Sequence, residues 1–246
     1  MSEADRVPPP AAVPSSDEWV DGRRAGPGRR GGLSDRVRDH LRQHIITGTI
    51  KPGTMIQIAP VAEQLGVSRT PVREALLSLQ QSKLVTVVPN QGFMVRALSI
   101  DDIRDIYVMR SVIETATAER AAARATDENH AELLELLRQS DEVAGVTYTL
   151  EFDGLCRQYH EKIANIADSH RLAESVRAIF DDLLRLQSIG VMPPDPHLIV
   201  VEHREILDAV VAGNPSSAKR AMDVHIATLH RTAVSGLVVP PNSEAT

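Results

Sequence analysis

The sequence predicts a mostly α-helical chain, with an N-terminal winged helix-turn-helix followed by an all-α antiparallel helical bundle. Three observations predict it. Aromatic residues are only 3% of the 246 residues, so aliphatic side chains and alanine must fill the core, a usage that suits helices better than a β-sandwich. The stretch LGVSRTPVREAL, Leu65 to Leu76, sets a glycine turn before a helix with two dissimilar sides. From Ser99 onward the apolar residues recur at helical spacing, with no convincing strand.

Taken in order, Leu33, Val37, Leu41 and Ile45 mark an amphipathic helix that closes near Gly48. Lys51-Pro52-Gly53 is a turn, and a short second helix runs from about Pro60 to Leu65. Gly66 permits a sharp reversal, and Ser68 is placed to cap the next helix. Pro71 falls in that helix's first turn, where its missing N–H matters little. Val72, Leu76 and Leu79, supported by Ala75, share one face. Arg69 and Arg73 share another, with Thr70 beside them at the N-terminal end. LVTVVPNQGFMV, Leu84 to Val95, reads as two strands around a turn tipped by Gln91 and Gly92. The N-terminal residues of a recognition helix reach base edges in the major groove, and a guanidinium fork suits guanine acceptors or phosphate. Paired arginines on a helix more often only solvate it. The ordered run of capped turn, short helices and glycine-tipped hairpin favours DNA.

Charge supports the division. Leu33 to Arg96 carries eight Lys/Arg against four Asp/Glu, a net of +4, whereas Ala97 to Gly236 carries fourteen against twenty-three, a net of −9. A basic block joined to an acidic one fits two domains with different partners better than one uniform surface. We therefore expect a disordered tail over 1–32, a DNA-binding domain over 33–96, a helical domain over 99–236 that binds effector and dimerises, and a flexible tail over 237–246. The Pro- and charge-rich N-terminus lacks the apolar segment of a signal peptide, and no apolar run approaches the ~18 residues of a membrane span. The single cysteine, Cys156, excludes an internal disulfide and a Cys-rich zinc module. A cytoplasmic location follows as an expectation, nucleoid-associated when DNA is bound.

The stretch LGVSRTPVREAL followed by PNQGFMV strongly resembles the winged-helix domain of the GntR family of bacterial transcription regulators. The resemblance covers roughly Leu33 to Arg96 and implies that Ser68, Arg69, Thr70 and Arg73 contact an operator, with Gln91 and Gly92 at the wing. Many relatives carry a phosphate-binding arginine at the start of the second helix, where this chain has Ala59.

Breakers at Thr126-Asp127, Gly145, Pro193-Pro194 and Gly213-Asn214-Pro215 divide the C-terminal block into about six helices. His160, His203 and His225 lie one on each of three of them, each flanked by apolar residues. Three converging imidazoles suit Zn²⁺ or Ni²⁺ with open coordination positions, but spacing alone more often describes three packed, hydrogen-bonded histidines. YHEKIA, EHREILDAVVAGN and AKRAMDVH resemble the histidine segments of the FCD effector domain of FadR-like regulators, over roughly Ser99 to Ser235. The helix count is nearer the six-helix, VanR-like subgroup. The resemblance implies a divalent metal on the three histidines, an acidic ligand one turn before the first, and a carboxylate-bearing effector at or beside the metal. Here Cys156 stands where the acid is expected. At i, i+4 from His160 it shares a helix face, so a thiolate can replace carboxylate geometrically and would shift preference toward Zn²⁺; the competing reading is a small buried hydrophobe beside a weakened or metal-free site. Arg110 and Glu114 resemble a polar pair of the same domain, in which Arg110 receives the effector carboxylate.

The functional expectation is a homodimeric regulator, a repressor by default, that reads a pseudo-palindromic duplex operator and responds to a small carboxylate. Two other readings remain at this point. One is a metal-dependent enzyme built on the histidines, which lacks a base motif such as HExxH; the other is an architectural DNA-binding protein with no effector.

Overall fold

A computed structural model describes residues 32–145, 148–191, 193 and 195–238. The chain divides into two compact units, Met1–Leu98 and Ser99–Thr246. The tails expected over 1–32 and 237–246 lie almost wholly outside the described residues, as does Pro194; the last helix continues to Val238.

In the first unit the described elements are α1 (Leu33–Ile46), β1 (Met55–Ile56), α2 (Ile58–Leu65), α3 (Arg69–Gln81), β2 (Val85–Val88) and β3 (Gly92–Val95). The apolar stripe of α1, Val37, Leu41 and Ile45, meets Leu65 of α2 and Val72, Leu76 and Leu79 of α3 in one core, closed by Ile56, Phe93 and Val95 of the sheet. Gly66 adopts φ 63°, the left-handed conformation that ends α2 and reverses the chain. The hairpin expected from the sequence gains a third strand. β1 pairs antiparallel with β3, Met55 opposite Met94 and Ile56 opposite Phe93, so the order is β1-β3-β2. Two residues are too few to show a period of two, which is why β1 is invisible in the sequence.

The second unit holds α4 (Ile100–Ala122), α5 (Asp127–Val143), α6 (Leu150–Ile166), α7 (His170–Ser188), α8 (Pro196–Val211) and α9 (Pro215–Val238), six helices among the described residues. Their starts are written locally. Ser99, Thr126 and Thr149 accept from the backbone N–H groups of Asp102, Asn129 and Phe152, and the Asp195 side chain accepts from His197 ahead of α8. α4 lies against α6, α7, α8 and α9, which makes it the inner member of this bundle. On α6 the buried stripe includes Phe152, Cys156, Tyr159, His160 and Ile163, and Leu155 is only half-buried.

Candidate functional site

On α3 the apolar side chains Val72, Ala75, Leu76 and Leu79 are buried, and Ser68, Arg69, Thr70 and Arg73 are all exposed. Ser68 holds the N-cap position but its hydroxyl makes no capping bond, a departure from the sequence expectation that leaves the group available to an outside partner. Gln91 is exposed at the wing, after Asn90 at φ 62°. Gly92 also has a structural task. A Cβ there would stand 2.8 Å from the Ile56 carbonyl oxygen, and its φ of 125° excludes ordinary side chains, so glycine lets β3 run close beside β1. Ala59, exposed on α2, offers no cation.

In the second unit His160 from α6, His203 from α8 and His225 from α9 come together, each at most 2% exposed, with one ring nitrogen of each within 4.8 Å of the others. Nε2 of His160 and Nε2 of His203 are 3.1 Å apart. Carboxylates adjoin two of the rings: Glu202 Oε2 is hydrogen-bonded to His225 Nδ1 at 2.8 Å, and Glu114 Oε2 stands 2.5 Å from His160 Nδ1 as a close ion-pair contact without hydrogen-bond geometry. An Nδ1–H directed at a carboxylate leaves a lone pair on Nε2. Tyr159 stacks on His203 at 4.6 Å and donates its hydroxyl to the His203 backbone oxygen at 2.8 Å, which fixes the third ring.

Burial disfavours the charged form of two of the rings. Burial, then the neighbouring His225, His160 and Arg110, push His203 well below its ordinary pKa; burial, His160 and Arg110 do the same to His225. Both rings are therefore neutral near pH 7. Burial works to raise the Glu114 carboxyl, but Arg110 and His160 together outweigh it and hold the group well below the usual carboxylate range. Arg110 donates from Nε to Glu114 Oε1 at 2.6 Å and is 1% exposed. The ion pair is thus a buried one rather than a surface pair.

These residues fit a divalent ion. His225 Nε2 is buried with no hydrogen-bond partner among the described residues, and it faces a group whose other nitrogens already converge. Three buried imidazoles with carboxylates beside two of them form a donor set of the kind that holds zinc, and such a set would leave room for a further ligand. Cys156 does not join the group. It lines the same cavity one turn along α6, but burial, then Asp153, raise its thiol well above the usual range, so it is protonated here. The expectation that Cys156 replaces an acidic ligand is corrected on geometry: His160, His203 and His225 group at ligand distance without it, and the acids nearest the rings are Glu114 and Glu202.

A cavity with about 50 Å³ of space for water-sized molecules adjoins the cluster. Its lining includes Tyr107, Arg110, Tyr148, Asp153, His160 and Gln187. Sequence reasoning did not find the roles of Glu202, Tyr148 or Gln187. Their partners lie on other helices or across a loop, so no spacing within one element signals them. Glu114 was visible only as the partner of Arg110.

A winged helix with outward arginines, on a chain whose second unit is an all-helical domain around a histidine cluster, defines a class: helix-turn-helix regulators with an appended helical domain. The comparisons agree. Residues 33–95 match the bacterial regulatory proteins of the gntR family, and residues 105–228 match the FCD domain. The chain is 31% identical over 188 residues to a regulator in an unstable DNA locus of Streptomyces ambofaciens, covering 76% of this chain and 78% of that protein. It is 30% identical over 198 residues to the HTH-type transcriptional repressor RspR of Escherichia coli strain K12, covering 79% and 86%. The solved structure of E. coli McbR/YncC superposes with a TM-score of 0.69 at 22% identity, over 83% of this chain and 98% of that one, a likeness of fold. The chain belongs to the GntR family and carries its FCD domain; it is a transcription regulator. The enzyme reading is set aside, since the family and the relatives are transcriptional regulators rather than enzymes. No helix among the described residues is long and apolar enough to cross a membrane.

Proposed function

We propose that this chain is a homodimeric repressor whose affinity for a duplex operator is set by a small carboxylate bound beside a metal ion in the helical unit. The observation that carries the reading is the meeting of three buried imidazoles beside a cavity of small-molecule size. Repression is supported by the relative RspR, a transcriptional repressor. Arg69 and Arg73 would read the major groove, Ser68 and Thr70 the backbone at the helix start, and Gln91 the wing side.

His160, His203 and His225 would hold the ion, with Zn²⁺ first and Ni²⁺ second, and the ion supplies an open position for a carboxylate oxygen. The chain's own residues do the rest. Glu114 and Glu202 hold the ring orientations, and Arg110, already neutralised in part by Glu114, adds positive potential at the cavity wall. Effector binding shifts operator affinity by a coupling free energy, and the operator must shift effector affinity by the same factor.

Two measurements test this. Elemental analysis of protein purified without chelator is expected to give close to one divalent ion per chain, and His225→Ala is expected to lose it. Fluorescence anisotropy on duplexes from the chain's own locus is expected to give salt-sensitive, sequence-selective binding that organic acids weaken. Operator binding that no organic acid changes would mark an architectural DNA-binding protein instead.

A further inference from the structure

We infer that the cavity selects among small carboxylates at its end remote from the histidines, where Asp153 accepts a hydrogen bond from the ligand. The ligand is then a monocarboxylate of about four carbons that carries a hydroxyl or ammonium group at its far end. This rests on the effector reading above and adds which effector chemistry the site takes.

The geometry begins on α6, where Asp153, Cys156 and His160 occupy i, i+3 and i+7 and all three line the cavity. Two turns separate the first from the last, about 10 Å along the axis. The Tyr148 hydroxyl donates to Asp153 Oδ1 at 2.9 Å, and Gln187 Nε2 donates to the same oxygen at 2.7 Å. Tyr148 is itself fixed edge-to-face on Phe152 at 5.2 Å, and burial raises its phenol so that it remains a donor. The two donors hold the carboxylate by one oxygen. Among the described residues Oδ2 accepts from no protein donor and no cation pairs with Asp153. A carboxylate has acceptor capacity for about four hydrogen bonds, so the remaining capacity is offered to whatever fills the cavity.

Charge and size narrow the occupant. The positive charge of Arg110 is matched by Glu114, so Asp153 keeps an unneutralised negative charge at its end of the space. A hydroxyl or ammonium group meets it favourably; a second carboxylate meets like charge. At 10–15 Å³ per water, a space of about 50 Å³ holds roughly four, which excludes long-chain or nucleotide ligands. With one polar contact of about 3 Å at each end, the ~10 Å span leaves about 4 Å for the ligand's own chain. An extended four-carbon chain bridges that distance.

The test is calorimetric titration of the zinc-loaded full chain with four probes: 4-hydroxybutyrate, 4-aminobutyrate, butyrate and succinate. At least one donor-bearing probe is expected to bind about tenfold tighter than butyrate, as a hydrogen bond to a charged group allows, with succinate weakest. The hydroxyl and ammonium arms decide between the two donors. Asp153→Asn keeps the oxygen that accepts from Tyr148 and Gln187 but replaces Oδ2 with a donor, so it is expected to reverse the order and favour succinate. Butyrate binding as tightly as both donor probes, or an unchanged order in Asp153→Asn, overturns this inference and leaves the effector reading standing. Absence of binding by all four to the wild-type chain overturns both.

Discussion

The two units treat charge in opposite ways. Among the described residues, every buried polar or charged side chain lies in the second unit, from Arg110 and Glu114 to His225. The first unit fills its core with aliphatic side chains and one phenylalanine, and turns Arg69, Thr70 and Arg73 outward. A surface that reads an external polyanion leaves its cations in water until the partner arrives, so folding does not pay to desolvate them. A unit that buries polar groups in its interior must give each of them a fixed partner. Arg110–Glu114–His160 and Glu202–His225 are those partners.

Breaking one of them should give the largest effect. Glu114→Ala leaves Arg110 and His160 uncompensated in the interior and is expected to destabilise the second unit by about 3–5 kcal/mol. Denaturant titration followed by hydrogen exchange in each unit checks this; equal loss in both units would mean that the contrast between them is wrong. Acidification is expected to act next, and chiefly on the same unit. In metal-free protein the folded-state pKa values of His203 and His225 lie well below the ordinary 6.5, so their contribution to stability is fully present above about pH 6.5. It is lost as pH falls from there toward the depressed native values, because unfolding then takes up protons. Two such groups give a slope of up to about 2.7 kcal/mol per pH unit. Melting temperature measured from pH 8 to 5 reads it, and Zn²⁺ should flatten the upper part of the curve. The smallest change in stability belongs to the exposed side of α3. Arg73→Ala is expected to weaken operator binding by about 1–3 kcal/mol while stability moves by no more than about 0.5 kcal/mol. Unchanged anisotropy titrations would remove Arg73 from the interface.

The winged helix was largely legible because its signals are local. Gly66 must reverse the chain, Leu76 and Arg73 take opposite sides of one helix, and PNQG can only be a turn between short strands. In the second unit periodicity located the helices and drew attention to the three histidines. It misassigned what surrounds them. Cys156 was read as a ligand from its i, i+4 relation to His160, whereas the carboxylates that hold the rings come from α4 and α8. In the first unit, the tertiary structure adds that Gly92 is required by the approach of β3 to β1, which no local pattern signals.

The sequence by itself therefore determined the order of elements, the two faces of α3 and the family, since each depends on residues a few positions apart and on backbone preferences that act at that range. Only the tertiary structure decided that His160, His203 and His225 meet, that Glu114 and Glu202 stand behind two of them, and that Asp153 faces the same cavity with Tyr148 and Gln187. Those relations join residues on separate helices. They arise from how helices pack, which no pattern within a single helix encodes.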